Sequence, residues 1–493
     1  MNYVSTRGID NKGVSSAYAI KTGLASDGGL YMPEEIPALT FSEIEELAAL
    51  PYTVRAAKIL SKFLTDYTYE ELLEDAEAAY SEAKFGPSPA PLTDLGQVQM
   101  LELWHGPTSA FKDMALQIMP RLFVRALRKC GEQRCAMILV ATSGDTGKAA
   151  LEGYRDVPGT KIKVFYPSEG VSRVQKLQMQ TQEGNNVSVN GIIGNFDDAQ
   201  TGVKRIFSDA RIRELLDKEG VFLSSANSIN WGRLVPQIVY YVSAYCDLLS
   251  AGKVALGDRI DVCVPTGNFG NIFAAYVAKM MGLPIEKLVC ASNKNNVLTD
   301  FLRTGKYDRN RDFHATMSPS MDILISSNLE RLLFVTLGSE KTRGYMAQLN
   351  STGCYTLTED DLAAISESFV GYYTDEAECA ATIKDVYKNK NCLIDTHTAV
   401  AIHATESYMN DYKAERKIVA VSTASAYKFA RDVYRSLTDS DTDGDLEALE
   451  ALHRLTSVDI PTPLSSILEK EIRHTGVIDG SEMENATLAF AKN

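Results

Sequence analysis

The chain has 493 residues, 45% of them hydrophobic and 23% charged, with 33 glycines and 16 prolines. These are the values of a globular protein of two or three domains, and they exclude disordered, collagenous and fibrous classes. A formal net charge of −14 disfavours nucleic acid and anionic membranes as partners, so any anionic substrate must meet local positive charge.

In chain order, apolar residues recur at helical spacing over 41–84, as in Tyr69, Leu72, Leu73 and Ala76. Pro87, Pro89 and Pro91 then crowd one short segment, which divides the chain into a domain of residues 1–92 and a larger one of residues 93–493. Beyond it, short apolar runs at 136–141, 161–166, 186–189, 221–225, 260–264, 288–291 and 418–421 read as strands. Helices are expected at 148–155, 197–219, 236–249, 271–280 and 361–388. This alternation predicts an α/β protein with parallel sheets. The long uncharged run 262–278 contains Pro265, Gly267 and Gly270, so it predicts no membrane span. Met1 to Asp10 carries no secretory pattern, and the protein is expected in the cytoplasm. The eight cysteines form no Cys-x-x-Cys and read as reduced, mostly buried thiols. The six histidines lack ligand spacing, so no metal site is expected.

Four segments carry chemistry. In Trp104-His105-Gly106-Pro107-Thr108-Ser109-Ala110-Phe111-Lys112-Asp113, a lysine follows a Gly-Pro turn at a helix start, where a cation is electrostatically misplaced. Desolvation there would lower its pKa and suit it to act as an imine-forming amine; a surface lysine in a first turn is the plain alternative. Ala141-Thr142-Ser143-Gly144-Asp145-Thr146-Gly147-Lys148 follows a strand and suits an anionic group. Its glycine spacing is too short for a nucleotide phosphate loop, and Ala149 stands where such a loop needs a hydroxyl. Val264-Pro265-Thr266-Gly267-Asn268-Phe269-Gly270-Asn271 again joins strand to helix, and without Lys or Arg it would grip a phosphate through backbone amides. Asp439, Asp441, Asp443, Gly444 and Glu450 match a calcium-loop spacing, yet the loop is single and its composition also suits helix capping, which is the favoured reading.

Together these segments resemble the threonine synthases, pyridoxal 5′-phosphate (PLP) enzymes of fold type II, in their longer subgroup with an extra amino-terminal domain. The resemblance runs over nearly the whole chain, through 3–8, 23–34, 104–117, 141–147, 165–182, 194–202, 224–240, 265–273, 290–303 and 318–333. It implies a tryptophan synthase β-like α/β fold with two mostly parallel-sheet lobes and a smaller amino-terminal domain. It also implies a reaction, the conversion of O-phospho-L-homoserine and water to L-threonine and phosphate, by a monomer or homodimer.

By the same resemblance Lys112 would bind the cofactor covalently, and Gly267, Asn268, Phe269, Gly270 and Asn271 would hold its phosphate. Asp145 would lie near the ring hydroxyl and Thr423 would bond the pyridine nitrogen. The substrate phosphate would meet Ser143 and Thr146 on one side and Asn227, Ser228 and Arg233 on the other. For Arg233 the alternative is an ordinary ion pair near a helix start. After Ser422-Thr423-Ala424 the family often reads His-Pro-Ala-Lys-Phe, whereas this chain has Ser425-Ala426-Tyr427-Lys428-Phe429. Two rival readings stay open on the residues alone: another PLP lyase, such as a serine or threonine dehydratase, which needs no second phosphate site, and a binding protein that has kept the fold without the chemistry.

Overall fold

A computed structural model describes residues 1–9, 12–142, 144–169 and 171–492. Near the amino terminus the strand Tyr3–Ser5 pairs antiparallel with Tyr31–Pro33. The helices Phe41–Ala48 and Tyr69–Ala79 each begin in a capping box, Thr40 with Glu43 and Thr68 with Glu71, which satisfies amides that a helix start leaves free. This region does not form a separate core. Tyr3 and Phe63 set their rings 5.6 and 5.8 Å from that of Trp231, the first residue of the long helix Trp231–Ser250.

Two sheets build the rest. One has six strands in the order Phe369–Tyr373, Ile285–Ser292, Ile260–Pro265, Ile418–Ser422, Val98–Glu102 and Leu92–Asp94, parallel except for the last pair. The other has five parallel strands in the order Val477–Asp479, Val187–Ile193, Thr160–Pro167, Cys135–Ala141 and Val221–Ser224. Central strands such as Ile260–Pro265 are buried along their length, which is why they read as unbroken apolar runs.

The expected elements hold with three corrections. The helix expected at 197–219 is two, Phe196–Ser208 and Ala210–Lys218, because Asp209 leaves helical geometry (φ −77°, ψ 113°) and its side chain caps the second. The stretch 361–388 contains the strand Phe369–Tyr373 between the helices Glu359–Ser366 and Glu376–Lys390; its aromatic and β-branched residues pair with Ile285–Ser292. The helix expected from 236 begins at Trp231, capped by Asn230, and carries Pro236 inside it. The eight cysteines are free thiols, four of them buried. Among the described residues no helix is long and apolar enough to cross a membrane.

Candidate active site

Lys112 opens the helix Lys112–Leu116, as its sequence context suggests. The preceding turn is stitched to the end of the strand Ile418–Ser422. Phe111 N donates to Thr423 O (2.8 Å), Ser425 N donates to Ser109 O (3.1 Å), and Ala110 bridges Ala424. Thr423 and Lys112 are therefore neighbours although 311 positions separate them. Asp113 braces the turn from behind, accepting from Thr108 N (2.8 Å) and Thr108 Oγ1 (2.7 Å). Burial pushes its carboxyl up to about 6.

Lys112 Nζ lies 3.6 Å from Asp145 Oδ2 and 3.3 Å from Ser320 Oγ. Burial lowers its pKa; Asp145 opposes the shift, and the nearby cations Lys428 and Arg233 add to it. Asp145 opens the helix Asp145–Tyr154. It also meets Lys428, whose Nζ is 2.8 Å from Asp145 Oδ1, 3.0 Å from Thr108 O and 3.1 Å from Gln178 Oε1. Burial alone would raise the Asp145 carboxyl, but Lys428 and Lys112 outweigh it and hold the group well below the usual carboxylate range.

The loop before the helix Gly270–Met281 has its carbonyls occupied. Ser326 Oγ donates to Gly267 O (2.7 Å), while Asn328 N and Nδ2 donate to Asn268 O at 3.1 and 3.0 Å. Phe269 adopts left-handed geometry (φ 61°) and buries its ring 5.6 Å from that of Phe369, so only its backbone faces a ligand. The helix has no side-chain cap, and the amides of its first turn lack intrahelical acceptors. A side chain at Gly267 would put a Cβ 3.0 Å from Ser320 O, so glycine is what admits the Ser320 turn to the loop. Asn271 Oδ1 accepts from Tyr240 (2.5 Å) and Tyr241 (2.6 Å), leaving its Nδ2 buried without a partner, while the Asn268 side chain is exposed. Free amides at an uncapped helix start, with glycine where space is tightest, fit a phosphate group.

Arg233, in the first turn of Trp231–Ser250, is 5% exposed. Its Nη1 donates to Ala226 O (2.8 Å), its Nε is buried without a partner, and among the described residues no ion pair with a carboxylate is formed. The ion-pair alternative is therefore not what the structure contains. Burial pulls the guanidinium down to about 10, where it is still charged at neutral pH. Asn227 is exposed and Ser228 half-buried on the turn leading to it, and Thr146 is half-buried in the first turn of Asp145–Tyr154. Ser143 lies outside the described residues.

Three side chains at the site carried no assigned role in the sequence. Lys428 directly follows Ser425-Ala426-Tyr427, where the chain departs from the family pattern, and a lysine inside the apolar run Ala426–Phe429, at the place where that pattern also has one, is the signal that could have marked it. Ser320 comes from the turn Pro319–Met321. Beneath it, His397 Nε2 accepts from Ser320 N (3.1 Å), so the ring proton resides on Nδ1, which donates to Asp395 Oδ2 (2.8 Å). Two other segments point away. Lys148 turns inward to Gln182 Oε1 (2.5 Å), which removes it from any phosphate role. In the 439–450 loop Asp439 pairs with Lys384 (2.6 Å) and Asp441 with Arg431 (2.8 Å). The helix Asp445–Thr456 starts at Gly444 with no side-chain cap, so the capping reading holds only for the acidic first turn, Asp445 and Glu447.

A family model described as "Threonine synthase N terminus" matches residues 2–80, and one described as "Pyridoxal-phosphate dependent enzyme" matches residues 89–424. Human threonine synthase-like 1 is 42% identical over 435 residues, covering 85% of this chain and 57% of that protein, so the chain spans little more than half the length of such relatives. The threonine synthase of Pseudomonas aeruginosa is 37% identical, covering 88% of this chain and 90% of its own length. Among solved structures, PLP-bound threonine synthase from Brucella melitensis is similar at a TM-score of 0.88, with 35% identity over all of both chains. The yeast enzyme gives 0.90 with 31% identity, over 99% of this chain and 98% of that one.

Proposed function

Because the chain belongs to the threonine synthase family of PLP-dependent enzymes, we propose that it converts O-phospho-L-homoserine and water to L-threonine and inorganic phosphate. The observation that carries this reading is Arg233: a buried guanidinium with no carboxylate partner among the described residues, near Lys112 yet on a different element from the Gly267–Asn271 loop. One phosphate cradle suffices for a PLP lyase acting on an unphosphorylated amino acid; two are needed when the substrate also carries phosphate.

On this reading Lys112 binds the cofactor, the amides of Gly267, Asn268, Phe269, Gly270 and Asn271 hold its phosphate, Asp145 faces the ring hydroxyl and Thr423 the pyridine nitrogen. When bound, PLP supplies an electron sink for the charge left on substrate carbon after proton removal. The protein does the rest. Lys112 Nζ, with its pKa lowered by burial, is the base that takes the α-proton and then moves a proton from the β-carbon. Ser320 Oγ, 3.3 Å from that nitrogen and 3.5 Å from Asp145 Oδ2, orients the free amine between proton transfers. Lys428 keeps Asp145 ionised and fixed. Arg233 grips the substrate phosphate with two donors and stabilises it as it leaves the γ-carbon, with Thr146, Asn227 and Ser228, and by the family pattern Ser143, as the further phosphate-binding residues of this reading. Water must be excluded until it adds at the β-carbon, which a closing movement of one lobe would achieve. The same reading places the protein in the cytoplasm, as a monomer or homodimer, with residues 1–92 and 93–493 as its domains.

The test is an inorganic-phosphate assay with O-phospho-L-homoserine alongside the cofactor's visible spectrum, with L-serine and L-threonine as control substrates. Threonine and phosphate in equal amounts are expected. Keto acid from the unphosphorylated amino acids, with no phosphate release, would establish a dehydratase instead.

A further inference from the structure

Arg331, the third residue of the helix Leu329–Leu337, is wholly buried, and its guanidinium ties the start of its own helix to two distant parts of the chain. Nη2 donates to Ile229 O (2.6 Å) and Tyr31 O (3.2 Å), Nε donates to Tyr31 O (3.4 Å), and Nη1 donates to Asn328 Oδ1. Every one of these acceptors is neutral. A buried guanidinium met only by neutral oxygens is a poor source of stability, so what it contributes is geometry: a rigid planar fork that fixes the segments around it.

Each segment leads to one of the two proposed phosphate-binding segments or to the amino-terminal region. Ile229 lies between Ser228 and Arg233, and Asn230 next to it donates from Nδ2 to Ile20 O (2.8 Å) while its Oδ1 accepts from Gly232 N (2.8 Å). Asn328, the second partner, is the residue that holds Asn268 O through two donors. Tyr31 begins the strand Tyr31–Pro33. Beside Arg331, Glu330 is clasped from the same amino-terminal region: Arg7 Nε and Nη2 each lie 3.0 Å from its two oxygens, and Thr6 Oγ1 donates to it at 2.6 Å.

We propose that Arg331 is a positioning residue that sets the Asn227–Arg233 and Thr266–Asn271 segments at a fixed separation, and that the amino-terminal region holds it there through Tyr31 and the Thr6–Arg7 clasp on Glu330. The inference rests on the reading of those segments as the substrate- and cofactor-phosphate sites. Preorganised donors lose affinity steeply when displaced by a fraction of an ångström, so a distant clasp can govern both sites.

The experiment uses the full chain. Cofactor affinity is measured by titrating the apoprotein with PLP, and affinity for inorganic phosphate by calorimetry on the holoenzyme, so neither readout needs turnover. Arg331→Lys keeps the charge but cannot span three acceptors, and it should weaken both constants about tenfold, the equivalent of one charge-assisted hydrogen bond. Arg7→Met, in the amino-terminal clasp on Glu330 and partly exposed, should weaken both about threefold. A purely structural role would lower the melting temperature and leave both constants within twofold of the parent; that result, or a change in only one constant, overturns the proposal. Should Arg331→Lys fail to fold, Arg7→Met decides by the same criterion. If both constants move while the parent releases no phosphate from O-phospho-L-homoserine, the coupling stands and the reaction assignment falls.

Discussion

The ammonium of Lys428 lies 2.8 Å from the carboxylate of Asp145, with none of the lysine side chain exposed. The pair crosses from the segment after the strand Ile418–Ser422 to the start of the helix Asp145–Tyr154, so it joins the two sheet lobes beside Lys112. Neither charge is affordable in that interior without the other.

Lys428→Met should therefore destabilise the protein by about 3–5 kcal/mol at neutral pH, because it leaves Asp145 buried with a weaker partner. The sign with pH follows from the depressed carboxyl: the stability it contributes is present above the unfolded aspartate value of about 3.9 and is lost as pH falls toward its folded value. The deficit of the variant should shrink by about 1.4 kcal/mol per pH unit below about pH 4. Chemical denaturation of parent and variant across that range checks it, and a deficit independent of pH would mean the pair is not responsible.

Lys112→Ala should lose the visible absorbance of covalently held cofactor and reduce threonine formation by at least about a thousandfold, since it removes both the covalent anchor and the proposed base. The Gly267–Asn271 loop should still bind cofactor reversibly. Threonine formation at more than a trace, measured with freshly loaded protein, would remove Lys112 from the mechanism.

Arg233→Ala should cost about 3–5 kcal/mol in kcat/KM, a factor of a few hundred or more, with the cofactor spectrum unaltered. Arg233→Lys should recover part of that, because a point charge cannot replace a fork. Since Arg233 is a buried cation with no carboxylate partner among the described residues, its removal should leave the melting temperature unchanged or raise it. Steady-state kinetics within about threefold of the parent, or a marked loss of stability, would mean a structural arginine.

Calcium should leave the melting temperature where it is, because Asp439 and Asp441 are already paired with Lys384 and Arg431. A rise of several degrees in millimolar calcium, cancelled by Glu450→Gln, would show that the loop reorganises around the ion.

The sequence by itself determined what depends on near neighbours. Strand, glycine turn and helix follow one another within eight residues at 141–148 and again at 264–271, and both turns begin helices where the residues suggest. Lys112 at its helix start and the buried parallel strands were legible for the same reason: periodicity, turn chemistry and helix-end electrostatics are local. Where a local pattern was ambiguous, pairing settled it, as with Phe369–Tyr373, which becomes a strand because Ile285–Ser292 lies beside it. Only the tertiary structure decided which charges meet. That Lys428 finds Asp145 and that Arg331 ties Tyr31 to Ile229, while Arg233 meets no carboxylate among the described residues, follows from the packing of two sheets and an amino-terminal region on one long helix. Spacing along the chain carries no record of such pairs, because the energy of a buried charge depends on what surrounds it in space.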